Sequence, residues 1–242
     1  MKYQGLLFVL PLALASLLAG SGCGPLPGKP TAADVEIKPR DVMNFALLYG
    51  QNCAGCHGRN GEGNTALGLA NPVYLALASD EIMRRAISNG VPGTLMTPFG
   101  RGAGGMLSDG QINLLVAEMR KRWARPDFLA GATLPPYAPA GAGDIKRGEE
   151  AYKTYCLACH GPGGKGKTGT GSIVDTTFLA LVSDQSLRLT VIAGRPDQGH
   201  PDWRHYLPGK ALTDQQVTDV VAWLVSHRSP TPGQPYPVAK EP

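Results

Sequence analysis

One short pattern occurs twice in this chain: Cys53-Ala54-Gly55-Cys56-His57 and Cys156-Leu157-Ala158-Cys159-His160. The two histidines stand 103 residues apart. Other blocks return at nearly the same distance. Leu75–Asp80 (LALASD) recurs as Leu179–Asp184 (LALVSD), 104 residues on, and Leu107–Gln111 (LSDGQ) as Leu212–Gln216 (LTDQQ), 105 on. Three blocks in one order at nearly one offset mean two homologous units. Whatever fold the chain adopts, it must form twice, and each copy must place two thiols and an imidazole within five residues.

A C-x-x-C pair by itself suits a redox disulfide or half of a zinc site. Neither needs a histidine after the second cysteine, and the two pairs are far too distant for a zinc ribbon. C-x-x-C-H is the signature of covalent haem attachment. Two thiols add across the two vinyl groups along one edge of the macrocycle. The adjacent histidine then lies under the ring, where its imidazole binds iron. Cys53, Cys56, Cys156 and Cys159 are therefore expected to hold two haem c groups, with His57 and His160 as iron ligands.

The chain has 242 residues and five cysteines, so one thiol, Cys23, is left over. It follows Lys2 and an apolar run, Gly5–Gly20 (GLLFVLPLALASLLAG), too short and too broken by Pro11 to span a bilayer. Residues 1–22 read as a signal peptide. The small residues Ala19-Gly20-Ser21-Gly22 before Cys23 resemble a bacterial lipoprotein signal. Cys23 is then expected to carry acyl chains that anchor the protein to a membrane, on the side where haem attachment occurs, outside the cytoplasm. Residues 23–40 form a Pro-rich tether, and 230–242 a Pro-rich tail.

With 32 glycines and 21 prolines, a long unbroken helical bundle is disfavoured. A net charge of +4 is too small to indicate nucleic acid. Gly161–Thr168 (GPGGKGKT) matches a phosphate-loop pattern and Gly100–Gly105 (GRGAGG) a dinucleotide pattern. Neither sits between a strand and a helix, so no nucleotide is expected. Lys165 and Lys167 are expected at the haem edge.

The remaining pattern is helical. Asp41–Asn52 and Asp144–Tyr155 are apolar at helical spacing and lead into the two motifs, with Tyr49 and Tyr152 each four residues before a cysteine. Ser79 and Ser183 are expected caps of helices ending near Gly90 and Gly194. Ser108/Gln111 and Thr213/Gln216 form capping boxes for last helices running to about Trp123 and His227. Arg120-Lys121-Arg122 and Arg125 are expected at a solvated helix end, where they complement the dipole. The Pro/Ala/Gly-rich stretch 126–142 separates the two units.

On these residues the chain resembles the class I cytochromes c, over about 40–125 and 143–229. The resemblance implies an all-α fold of two tandem class I cytochrome c domains, 41–125 and 143–229, each wrapped around one covalently attached haem c. In that family the helix ending at C-x-x-C-H crosses the last helix. Gly148 and Tyr152 match its G-x-x-x-aromatic contact, and Trp223 the aromatic of the last helix. The first copy departs, with Phe45 at the glycine position and Glu118 at the aromatic one.

The resemblance also implies a sixth iron ligand, usually a methionine roughly forty residues after the histidine. Met96 fits in the first copy; Met83, Met106 and Met119 fit less well. The second copy has no methionine. Aligning Gly194 with Gly90 puts His200 on Met96 and Trp203 on Phe99, with His205 as the rival and His227 at a helix end. Imidazole favours oxidised iron more than a thioether does, so the second haem is expected at the lower potential.

With both irons closed by two protein ligands, no position remains for substrate. The expected activity is electron transfer between redox protein partners, as a carrier or as a relay subunit of a respiratory or photosynthetic membrane complex. The competing reading is a haem enzyme, a dihaem peroxidase or thiosulfate-oxidising cytochrome, with the second haem as active site. A haem-based sensor or assembly factor is weaker still, since nothing in these residues resembles a signalling module.

Each copy, about 85 residues, is small for a self-sufficient core. Haem would supply the missing apolar surface. The chain expressed without haem attachment is expected to lack a stable fold, seen as low helical circular dichroism and rapid proteolysis of both copies.

Overall fold

The computed structural model describes Asp34 and residues 36–232. The signal peptide, Cys23, most of the tether and nearly all of the tail lie outside the described residues. Among the described residues there are helices and four isolated β-bridges but no strand, so the all-α class holds.

The first half carries α1 (Phe45–Asn52), α2 (Ala54–His57), α3 (Pro72–Leu77), α4 (Asp80–Asn89) and α5 (Asp109–Trp123). The second repeats the order as α6 (Ile145–Tyr155), α7 (Leu157–His160), α8 (Thr176–Ala180), α9 (Asp184–Ala193) and α10 (Asp214–Val225). The caps explain the bounds. Ser79 and Ser183 accept from the amides of Ile82 and Ser186, and both α4 and α9 stop at glycines with φ near +70°. Both capping boxes are complete, Ser108 with Gln111 and Thr213 with Gln216. α1 starts four residues later than its apolar spacing predicts, because Asn44 rather than Asp41 caps it. α10 ends at Val225, two residues short of His227.

The short helices α3 and α8 have no counterpart in the sequence reading. Asn71 and Asp175 start them, each accepting from two amides of the following turn.

The two halves cross their terminal helices differently. At Gly148 a Cβ would lie 2.0 Å from the Asp219 carbonyl oxygen and 2.8 Å from Trp223 Cβ, so α6 meets α10 with no room for a side chain. Tyr152 stacks on Trp223 at 4.2 Å. In the first half Phe45 occupies the glycine position. It stacks on Tyr49 at 5.4 Å and meets Trp123 edge-on at 5.8 Å, so the aromatic missing at Glu118 comes from Trp123, further along α5.

Arginines tie the pieces together. Arg120 points inward rather than to solvent: it pairs with Asp80 at 2.6 Å and donates to the carbonyls of Leu75 and Ala78. Arg228 does the same in the second half, reaching Leu179, Val182 and Asp184. Arg122 lies over the Phe45 ring and pairs with Glu118. Arg188, only 2% exposed, donates to Thr218 and to the carbonyls of Pro136 and Tyr137, and pairs with Asp214. The 126–142 segment is thereby strapped to α9 and α10 rather than merely spanning a gap.

Asp219 is a buried carboxylate on α10 that accepts from the Asp144 amide at 2.7 Å, from Arg147 at 2.8 and 3.0 Å, and from Gln215 at 2.9 Å. These bonds hold its carboxyl below the usual carboxylate range, against the opposing effect of desolvation, which is the largest single influence. Asp219→Ala is expected to cost about 1.5–3 kcal/mol, the worth of hydrogen bonds to a charged group, measured by denaturant unfolding of the haem-loaded protein. The depressed carboxyl means that this contribution is present above the unfolded pKa and fades as pH falls through the lower folded one.

Candidate haem-binding sites

Each C-x-x-C-H segment is one helical turn hung from the helix before it. In the first half the Cys53 amide donates to the Tyr49 carbonyl at 2.8 Å and the His57 amide to the Cys53 carbonyl at 3.0 Å. The Tyr49 hydroxyl then reaches past the histidine to the Gly58 carbonyl at 2.9 Å. Gly58, at φ +83°, turns the chain away. The second half repeats this with Tyr152, Cys156, His160 and Gly161. The four cysteines of the two turns form no disulfide with one another, and among the described residues the two pairs do not converge into a four-cysteine metal site. Burial, with the neighbouring thiol, pushes Cys53 and Cys156 up to about 12.

His57 is oriented by a contact no motif announces: its Nδ1 lies 2.7 Å from the Leu67 carbonyl oxygen. A backbone carbonyl fixes Nδ1 as the donor and leaves Nε2 as a free lone pair, as metal-binding histidines require. Burial holds His57 below the usual histidine range, opposed by that hydrogen bond and aided by the charge of Arg195. His160 is also lowered, by burial and then by Lys167. Lys167 itself folds back onto the Ala158 carbonyl.

The loops bearing Met96 and His200 share the bond that closes their turn. After Gly90, the Val91 amide donates to the Met96 carbonyl at 2.9 Å; after Gly194, the Arg195 amide donates to the His200 carbonyl at 2.9 Å. Phe99 and Trp203 follow, their amides bonded to the carbonyls of Ile87 and Ile192, three and two residues before the respective glycines. Met96 is half-buried against the core.

The His200 and His160 ring centroids lie 5.8 Å apart, with the ring planes inclined at 54°. Two imidazoles on opposite sides of one metal, each bonded at about 2 Å, would have ring centres about 6 Å apart. Both rings bury an Nδ1 with no hydrogen-bond partner, which is rare for buried polar groups. Burial, and next the nearby His160, push His200 down to about 4, leaving a neutral ring. The spacing of the two rings therefore fits a haem iron between them. Tyr206, which no motif flagged, closes this pocket: its hydroxyl donates to the Val191 carbonyl at 2.9 Å and lies 3.4 Å from His200 Nε2.

The rivals are placed elsewhere. His205 is exposed and pairs with Asp202 at 3.0 Å. His227 packs edge-on to Trp223, with Nδ1 2.8 Å from the Trp223 carbonyl oxygen. Met83 and Met119 are core residues at 2% exposure, and Met106 is 77% exposed. Gly161–Thr168 follows a helix, not a strand, and begins with a short 3-10 turn, Pro162–Gly164.

The sequence matches the family described as "Cytochrome C oxidase, cbb3-type, subunit III" over residues 40–117 and 143–224. The chain belongs to this family. Its members of the cytochrome c type carry covalently bound haem c, in keeping with the two cysteine–histidine turns. Among similar proteins, a cbb3-type cytochrome c oxidase subunit CcoP of Azospirillum sp. (strain B510) is 29% identical, over 58% of this chain and 48% of its own length. A thiosulfate dehydrogenase of Stutzerimonas stutzeri is 27% identical, over 78% of this chain and 64% of the other. A cbb3-type subunit FixP of Bradyrhizobium diazoefficiens is 28% identical, over 69% and 58%. The chain thus spans about half to two thirds of the length of these relatives.

In this chain the loop glycines are strict requirements. At Gly194, φ is +70° and a Cβ would lie 2.5 Å from the Pro201 carbonyl oxygen. Gly194→Ala is expected to destabilise the loop by about 1–3 kcal/mol, read as a lower melting temperature together with a disturbed haem absorption spectrum.

Proposed function

We propose that the protein is a dihaem c-type cytochrome that relays electrons between redox partners as a subunit of a respiratory membrane complex of the cbb3 oxidase kind. In this reading residues 41–125 and 143–229 each hold one haem. Cys53 and Cys56 bind the first covalently, with His57 and Met96 on its iron; Cys156 and Cys159 bind the second, with His160 and His200. Lipidated Cys23 anchors the chain, followed by the 23–40 tether, on the extracytoplasmic face of a membrane. Among the described residues no helix is long and apolar enough to cross one. Family membership and the CcoP and FixP relatives support the relay role.

Haem, when bound, supplies a one-electron iron couple whose potential follows its axial ligands. The chain's own part is to hold each ring by two thioethers, orient His57 through the Leu67 carbonyl, and keep the ligand loops fixed on glycine turns. The observation that carries the reading is the shared bonding of the Met96 and His200 loops. It presents Met96 and His200 six residues after equivalent glycines, which supports one further side-chain ligand for each centre.

A second reading follows from the thiosulfate dehydrogenase relative, whose similarity extends over more of the chain than either oxidase subunit's. An enzyme of that kind needs a labile or open iron position at the second site.

One set of measurements separates them. For the relay, both centres are low-spin, do not bind carbon monoxide at neutral pH, and show no thiosulfate-dependent reduction. His200→Met is expected to raise the potential of the second centre, and an unchanged spectrum and potential would remove His200 from the iron. A high-spin band with thiosulfate-driven reduction instead establishes the enzyme. Oxidase subunits recovered with the native protein in mild detergent would name the complex.

A further inference from the structure

The residue after the Gly194 turn belongs to both halves at once. Arg195 pairs its backbone with His200 in both directions, at 2.9 and 3.0 Å. Its guanidinium leaves the second half and donates to the carbonyl of Asn64 at 2.6 Å. Asn64 lies in the loop after His57, and its side chain donates to the Gly55 carbonyl inside the first C-x-x-C-H turn at 3.3 Å. The same guanidinium is held by Asp197 at 2.7 and 3.0 Å, and the two side chains are only 13% and 14% accessible.

The fit around this pair is close. At Gly63 a Cβ would sit 2.9 Å from an Asp197 carboxylate oxygen, so the first half's loop meets Asp197 through bare backbone. Gly63 also donates its amide to the His57 carbonyl at 2.8 Å. A second buried bond, from Asn71 Nδ2 to the Ala193 carbonyl at 2.9 Å, joins the same two loops. The iron-ligand loop of the second site is therefore clamped to the histidine loop of the first.

We infer that the Arg195–Asp197 pair is a shared electrostatic setting for both haem centres, a positioning contact whose charges bias the two reduction potentials together. The inference rests on the dihaem reading above. A pair this far withdrawn from water is weakly screened. A cation beside an iron favours the reduced, less positive state, and an anion favours the oxidised one. Its contacts reach both sites: the Arg195 backbone is bonded to His200, and its guanidinium to the loop that Asn64 ties to the first cysteine–histidine turn.

The test compares charge changes of opposite sign in the haem-loaded protein, by redox titration with spectra that resolve the two centres. Arg195→Gln is expected to lower both potentials, Asp197→Asn to raise both, and Arg195→Lys to leave both near the parent values while lowering the melting temperature. A shift at one centre only, or shifts that ignore the sign of the charge removed, overturns the inference. If Arg195→Gln does not fold, as judged by its absorption spectrum, Asp197→Asn and Arg195→Lys still make the signed comparison. The unaltered protein keeps the two questions apart: a titration with a single redox centre defeats the dihaem reading, whereas two centres with unaltered potentials in the variants defeat only the shared setting.

Discussion

A histidine in a four-residue helix has little to hold it, because one turn fixes too few dihedrals to persist alone. Here the constraint comes from a tyrosine one turn earlier. Tyr49 grips the chain on both sides of His57: its carbonyl takes the Cys53 amide and its hydroxyl reaches Gly58. Tyr152 does the same around His160. These tyrosines pack against Trp123 and Trp223 of the last helices. The pose of each cysteine–histidine turn therefore depends on the crossing of two helices distant in sequence, and loosening that crossing would loosen the turn.

The two copies meet this demand by different packing. Where α6 carries Gly148, backbone touches backbone, and the buried Asp219 ties the start of α6 to α10. Where α1 carries Phe45, ring area replaces close approach, and Arg122 covers the outer face of that ring. The first solution is tighter and more directional. The second tolerates a shorter α1 capped by Asn44. Both end with an aromatic against the tyrosine, which is the part that the histidine turn requires.

Much of this was legible because it is local. Caps and capping boxes are read from residues three apart, and Ser79, Ser183, Ser108 and Thr213 all act as their spacing indicates. The repeat offset put His200 on Met96 without knowledge of any contact. The Leu67 carbonyl behind His57 was not legible, because every residue has a carbonyl and no side chain marks the one that is used. Arg120 looked like part of a solvated basic cluster; only the fold shows that it turns inward to the carbonyls of Leu75 and Ala78. Arg188, Arg195 and Asp219 were missed for the same reason. A charged residue in a sequence reads as surface until its partners, here 26 to 131 residues away, are brought beside it.

The Met96 and His200 loops show how such a scaffold separates electronics from folding. The bonds that shape each loop run between backbone groups: Val91 to Met96 in one, Arg195 to His200 in the other, each entered through a glycine near φ +70°. Backbone bonds are indifferent to which side chain the residue bears. Similar turns thus accommodate a thioether in one loop and an imidazole in the other, and in the dihaem reading that side chain would adjust the iron without a cost in backbone strain. The second loop then needs only a pocket that accepts a neutral ring. Burial beside His160 and closure by Tyr206 provide one. In the dihaem reading, duplication followed by a change of one side chain in such a loop is a short route to two centres of unequal potential in one chain.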